Sequence, residues 1–410
     1  MIQLSQDSLL RLASDLLYDH LKASRDTGAQ HLPPPETWTG DTHITPAASS
    51  ASTLSLEADS LEFVSLASTV MRFFQLQDSG LEDYLLRYRR LDEWCQLVAR
   101  ARAQGIQTLG FASSGSTGPA KTCIHNWQDL VQEIDFFASL LEGLPQFELK
   151  RVVTLVPSHH IYGFLFGLLL PEHQQVPACR GRSAIGMAQA RRLQAGDLLV
   201  GHPFLWRELS QQGSSFPEGV VGLTSTAPCD PAVIARLKDQ GLSQMLEIYG
   251  SSETAGVGYR FSTHEPFELL PRWDKGPSGE SLVDRFKGRE LSLEDRVRWQ
   301  DSRHLTPTGR LDRAVQVGGV NVYPQAIARK LEALASVAQA QVRLGCGEQA
   351  ERLKAFIVPT NPEQPNSELE AELTEWCRSQ LSAPETPTRF SFGRQLPSGN
   401  LGKAADWTTS

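Results

Sequence analysis

A ring, two hydroxyls and a carboxylate stand together in Tyr249-Gly250-Ser251-Ser252-Glu253. A ring can stack on a flat heterocycle, and a hydroxyl can bind a phosphate oxygen. A carboxylate can hold Mg2+, a hard ion that prefers oxygen ligands. Taken alone, the same five residues could be a polar turn at a strand end. Ser113-Ser114-Gly115-Ser116-Thr117-Gly118-Pro119-Ala120-Lys121 offers anion chemistry as well. Its glycines let the backbone approach a ligand, its hydroxyls and amides can donate to phosphate oxygens, and Lys121 supplies a cation. It lacks the order of a Walker loop, and a Ser/Gly-rich run by itself is more often a flexible linker. Near the other end, Leu396-Pro397-Ser398-Gly399-Asn400-Leu401-Gly402-Lys403 sets a lysine directly after a glycine.

Other segments fall between these in order. They are Pro157-Ser158-His159-His160-Ile161-Tyr162-Gly163 and Ser225-Thr226-Ala227-Pro228. After them come Asp295, Gly309-Arg310-Leu311-Asp312 and Gly318-Gly319-Val320-Asn321-Val322-Tyr323-Pro324. The ordered set, over residues 105–410, resembles the acyl-adenylate-forming superfamily of acyl-CoA synthetases, luciferases and peptide-synthetase adenylation domains. The resemblance implies roles. Ser113 to Gly118 and Lys121 would bind phosphate. Ala227 would lie beside adenine, Tyr249 and Gly250 would pack on it, and Ser252 would hold the α-phosphate. Glu253 would carry Mg2+. Asp295 would grip ribose, Arg310 would contact ribose or phosphate, and Asp312 would be the hinge of the C-terminal domain. Lys403 would reach the carboxylate and α-phosphate during adenylation. His160 would stand at the acyl pocket, with Tyr162 and Phe164 near it. Three departures stand out. Both glycines of the family's adenine-side loop are replaced, Leu293-Glu294-Asp295 replaces its usual T-G-D, and Gln325-Ala326 stands where an acidic residue is common.

The elements around these motifs follow from periodicity. Leucines at helical spacing predict a helix over residues 6–24. A Pro/Ser/Thr-rich stretch, residues 31–53, reads as a loop or linker. Asp59 can cap a second helix, and a third is expected over residues 81–98. After Gly105, short apolar stretches at residues 152–156, 198–200 and 220–223 alternate with helical patterns such as 231–237, as in an α/β sheet domain. From Gly309, strands at residues 314–317, 337–344 and 354–359 and helices at 324–335 and 367–381 suggest a small α+β domain. The expected architecture is α/β: a truncated adenylation core (105–308), a mobile C-terminal lid (309–410), and an all-helical front domain (1–104). Asp59-Ser60-Leu61 in that front domain resembles the D-S-L site of acyl carrier proteins. There the serine bears 4′-phosphopantetheine, an arm that a helix N-terminus suits. The competing reading of Asp59-Ser60 is a plain helix cap.

Composition sets the class. Hydrophobic content of 40% and charged content of 21% are ordinary for a globular chain, and a net charge of -8 argues against a nucleic-acid partner. Six scattered cysteines form no zinc spacing and read as free thiols of a reducing cytoplasm. The longest apolar run, residues 161–170, falls short of the ~20 residues that a membrane helix needs and reads as a buried element. The N-terminus does not read as a signal peptide.

The chemistry implied by the resemblance is activation of a small carboxylic acid with ATP and Mg2+, then transfer to a thiol. An acyl carrier protein, in this chain or another, is the first reading of that partner; free coenzyme A is the alternative. The D-S-L segment with the Gly402-Lys403-Ala404-Ala405-Asp406-Trp407 ending is similar to compact ligases of aryl-polyene and xanthomonadin-type pathways, which implies a hydroxybenzoate-like acid. A catalytically inactive docking scaffold is the reading from another class. Lys403 supplies a test. Lys403→Ala is expected to reduce acyl-AMP formation by orders of magnitude and to spare thioester formation from supplied acyl-AMP. Equal loss in both half-reactions, measured separately, would contradict this role.

Overall fold

The computed structural model describes residues 3–25, 32–46, 54–112, 121–189, 192–213, 215–311, 314–318, 320–345, 352–363, 365–397 and 407. Three helices open the chain: α1 (Gln6–Ser24), α2 (Ser60–Phe74) and α3 (Leu91–Ala103). Ser5 caps α1. Asp59 caps α2 by accepting from the Leu61 and Glu62 amides, 2.8 Å each, while Glu62 accepts from the Asp59 amide. This reciprocal arrangement is a capping box. The third helix begins later than its periodicity suggests. Glu82–Leu86 forms a tight 3-10 turn, and α3 starts at Leu91 with Glu93 accepting from the Arg90 amide. The stretch expected to be a linker is packed where it is described. Trp38, Thr42 and Ile44 are buried, and backbone bonds tie His43 to Leu54 and Ile44 to Arg89.

These helices share their core with the elements that follow. A hairpin of β1 (Thr108–Ala112) and β2 (Thr122–Asn126) runs into α4 (Trp127–Glu142). A column of ring contacts leads from Phe74 through Phe73 and Phe111 to Phe164, which meets Trp127. One hydrophobic cluster extends from Leu4 to Leu305. Residue 105 thus marks a change from helix to strand inside one core. On α1, Asp15 accepts from the amide and hydroxyl of Ser158 (2.9 and 2.7 Å) and pairs with Arg180 at 2.5 Å. All three groups are largely buried, so the front helix is fixed to the sheet domain by a desolvated charge pair.

The main sheet comprises nine strands. Its parallel half contains β3 (Arg151–Thr154), β4 (Ala178–Cys179), β5 (Asp197–Gly201) and β6 (Val221–Thr224). Crossovers between them carry α5 (Ile161–Phe164), α6 (Leu170–Gln174), α7 (Gly181–Gln189), α8 (Pro203–Gln211) and α9 (Pro231–Asp239). The apolar run 161–170 is buried throughout, as expected, with a π turn at Leu165–Leu169 joining α5 to α6. Alternate residues of these strands feed two cores: Val152, Leu198 and Leu223 face one, while Val153, Leu199 and Met245 face the other. A parallel sheet covered on both faces needs such all-apolar strands. β7 (Gln244–Ser251) pairs parallel with β6 and antiparallel with β8 (Ala255–Arg260). β9 (Phe267–Leu269) continues that antiparallel half. β10 (Trp273–Lys275), β11 (Ser281–Asp284) and β12 (Glu290–Ser292) form a separate small sheet. β13 (Asp295–Trp299) and β14 (His304–Arg310) close the large one.

The remaining segment has its own core. It comprises β15 (Val315–Val317), β16 (Val320–Val322), α10 (Pro324–Glu332), β17 (Val337–Leu344), β18 (Leu353–Pro359), α11 (Asn366–Gln380) and β19 (Arg389–Phe392). This is the α+β segment expected after Gly309. Among the described residues no helix is long and apolar enough to cross a membrane. Cys95, Cys123, Cys229 and Cys377 are buried, and Cys179 is half-buried.

Removing one partner of a buried ion pair strands the other charge, which typically costs about 3–5 kcal/mol. Asp15→Ala is therefore expected to lower the stability of the whole sheet domain by about 3 kcal/mol in denaturant unfolding. A loss confined to a separate early transition of the front helices would contradict the shared core.

Candidate active site

The chemistry-bearing residues gather because parallel strands deliver their carboxyl ends to one edge, where open α/β sheets bind ligands. His160 follows β3, Ala227 follows β6, and Tyr249 to Glu253 end β7. After β6, Ser225 donates to the Ile248 carbonyl at 2.8 Å, which fixes the Ala227 segment to β7. Thr226 has φ +80°, a left-handed value that costs a β-branched residue and suits the glycine usual in this loop.

The β7–β8 turn is tightly made. Gly250 lies so close to the Ala255 carbonyl that a side chain there would put its first carbon 2.1 Å from that oxygen. Ser251 accepts from the Glu253 and Thr254 amides at 3.2 and 3.3 Å, and Ala255 has φ +58°. Two buried side chains meet the ends of this turn. His125 on β2 donates from Nε2 to the Ser252 carbonyl at 2.7 Å. Glu133 on α4 accepts from the Gly256 amide at 3.0 and 3.2 Å.

Tyr249 donates to Asp295 at 2.8 Å. Asp295 and Arg310 are paired in register across β13 and β14, and the Arg310 Nε lies 3.9 Å from Asp295. Arg310 also binds Glu294 at 2.7 Å. The expected adenine and ribose residues thus form one connected set. Burial, then the neighbouring Asp295 carboxylate, raises the Tyr249 hydroxyl far above the usual range, so it stays a proton donor. The Glu253 carboxylate lies against Glu294, whose pKa is raised by burial and then by the charge of Glu253. Two facing carboxylates are a setting that a hard cation would relieve, which fits Mg2+. Among the described residues no three His, Cys, Asp or Glu side chains cluster at metal distance. Such an ion would therefore rest on one or two carboxylates with substrate phosphates, its usual mode.

His160 is exposed as a residue, yet neighbouring protein atoms crowd its ring. That crowding, then His159 4.2 Å away, lowers its pKa, leaving a neutral imidazole at pH 7. Tyr162 and Phe164 are buried. The Tyr162 hydroxyl is spent on the Gly201 and Leu223 carbonyls, and Phe164 is fully buried against Phe111 and Trp127. The expectation of an acyl pocket near both is corrected to this extent: their side chains pack into the core, as an apolar run after a strand does. Lys121 is exposed at the start of β2. Ser113, Ser114, Gly115, Ser116, Thr117, Gly118, Asp312 and Lys403 lie outside the described residues.

Ser60 is exposed at the first turn of α2, beside its capping Asp59. Sequence reasoning gave no role to Glu294, His125 or Glu133. Glu294 had a signal, since it replaces the glycine of the family motif beside Asp295. His125, in a five-residue strand, and Glu133, on an amphipathic helix, had none.

The chain is similar to known ligases along most of its length. The chain is 36% identical over 402 residues to a 4-coumarate–CoA ligase of Halorhodospira halophila, covering 98% of this chain and 99% of that one. It is 22% identical over 310 residues to a 3,4-dihydroxybenzoate–[aryl-carrier protein] ligase of Bacillus anthracis, covering 72% and 71%. Its fold matches an o-succinylbenzoate CoA synthetase of Bacillus subtilis with a TM-score of 0.59 at 16% identity, over 97% and 91% of the two chains. No family model matches the chain. With end-to-end likeness to such a ligase, and with the fold shared, the chain belongs to the acyl-adenylate-forming superfamily and is an AMP-forming acid–thiol ligase.

Proposed function

We propose that the chain activates an aromatic carboxylic acid as its acyl-AMP and passes the acyl group to coenzyme A. The connected set of Tyr249, Asp295, Arg310 and Glu294, with Glu253 against Glu294, carries the adenylation reading. The acid's oxygen attacks the α-phosphorus of ATP, and the bond to pyrophosphate breaks. The thiol sulfur then attacks the acyl carbonyl, and AMP leaves. Mg2+ held by Glu253 would neutralise phosphate charge. Asp295 orients Tyr249 through its hydroxyl, which presents the ring to adenine, and its other oxygen faces Arg310 towards ribose. Glu294 holds Arg310 in place from the far side. Neutral His160 borders the acid without adding charge. Lys403 closes on the carboxylate for adenylation and withdraws for the thiol, by rotation about Asp312.

Coenzyme A is preferred to a carrier protein for two reasons. The relative that spans the whole chain is named a CoA ligase. Asp59-Ser60 is also accounted for by the capping box, on a helix that shares the sheet domain's core. A carrier acceptor remains the second reading, supported by the aryl-carrier ligase among the relatives.

The acceptor is decided by a panel of hydroxybenzoates and hydroxycinnamates with ATP, read by mass spectrometry. Aryl-CoA is expected with free coenzyme A. The protein's intact mass is expected to stay unchanged beside a carrier fully modified by a phosphopantetheinyl transferase. A Ser60-dependent gain of about 340 Da, the arm's formula mass and so independent of any folding magnitude, would favour the carrier reading. Glu253→Gln keeps the shape and removes the charge. It is expected to raise the Mg2+ requirement about tenfold or more while unfolding like the parent. An unchanged Mg2+ titration would remove the metal role from Glu253.

A further inference from the structure

We propose that His125 and Glu133 are positioning residues that clamp the turn carrying Glu253 to the element leaving the phosphate loop. This rests on the role of Glu253 proposed above. The turn between β7 and β8 is short, and it contains Ala255 in the left-handed region, where a side chain costs energy. Such a conformation persists only where its surroundings over-determine it. Here both ends are held from outside. The Ser252 carbonyl receives the Nε2 proton of His125, so that nitrogen must carry the hydrogen. The Gly256 amide is taken by both oxygens of Glu133, and a side chain at Gly256 would bring its first carbon within 2.4 Å of Glu133 Oε1.

Both clamps come from one continuous element. β2 begins immediately after Lys121 and ends in α4, and both residues are only 6% exposed. They lie 127 and 123 positions before the groups they bind. A buried histidine satisfied by a carbonyl is common, and so is a buried glutamate on an amide. Two of them, from the strand and helix that follow the phosphate loop, on the two ends of the same turn, make a frame. α4 is fixed in turn. Asp129, one helical turn before Glu133, binds Arg272 at 3.1 Å, and Arg272 binds Asp284 at 2.8 and 3.0 Å. Lys287 also reaches Asp129. The place of the turn relative to β2 and α4 is thereby set by buried hydrogen bonds.

The test measures binding of two probes to the full chain by calorimetry: Mg·ATP, and AMP in the presence of EDTA. His125→Phe keeps the ring and loses the donor. It is expected to weaken Mg·ATP about tenfold and leave AMP within about twofold. His125→Gln restores a donor at the Nε2 position and should recover most of the loss. Glu133→Gln keeps an acceptor and should bind both probes like the parent, whereas Glu133→Leu should lose Mg·ATP selectively. If His125→Phe does not fold, His125→Asn, whose donor falls short of the carbonyl, takes its place. Parent-like Mg·ATP binding in the donor-less variant overturns the proposal. So does an equal loss of both probes, which marks a merely structural role. Glu253→Gln separates the two readings. If it leaves Mg·ATP binding unchanged, the metal role of the turn fails. If it weakens binding and His125→Phe does not, only the clamp fails.

Discussion

The pairing of β7 governs the geometry of this protein. One side of β7 bonds to a parallel neighbour and the other to an antiparallel one. Its carboxyl end therefore joins the row of parallel-strand ends, yet the chain turns back at once. A sharp turn on the binding edge is the result, and the small residues at Gly250 and Gly256 follow from it. The same pairing carries the antiparallel half outward to β13 and β14, whose register places Asp295 opposite Arg310. Tyr249, on the shared strand, then lies within reach of a residue 46 positions away.

Charge is the second organising factor. Glu253, Glu294 and Asp295 concentrate carboxylates at the proposed nucleotide site. Arg310 offsets part of it through Glu294 and Asp295, and a metal on Glu253 would offset more. The substitution of Glu294 for the family's glycine tightens Arg310 and crowds Glu253 at the same time. Its raised pKa is the electrostatic expression of that crowding.

Much of this was legible in the sequence because the motifs are local. Tyr249 to Glu253 occupy one turn, and their order along the chain fixed the superfamily. Secondary structure in the C-terminal segment was legible for a similar reason: residues 337–344 form β17 as expected. What escaped were relations between distant segments. Leucines at residues 9–21 announce a buried face but not what buries it, so α1 to α3 read as an independent bundle. Asp15 gave no hint of Arg180, which lies 165 residues on. His125 and Glu133 look ordinary until the turn they hold is seen. Tyr162 and Phe164 misled because their aromatic character suits a pocket as well as a core.

The buried thiols acquire a meaning from the chemistry. An acyl-adenylate is an acylating agent, and an enzyme that makes one exposes its own nucleophiles to it. Burial pushes the thiols of Cys95 and Cys123 up to about 12 and that of Cys377 up to about 11. At pH 7 these thiols therefore stay protonated, and the thiolate is the nucleophile. Cys123 is the telling case, since it lies on β2 only two residues past Lys121 and against Glu253. Desolvation holds these internal sulfurs as neutral thiols, the less nucleophilic form, close to where the family's chemistry makes an acylating agent.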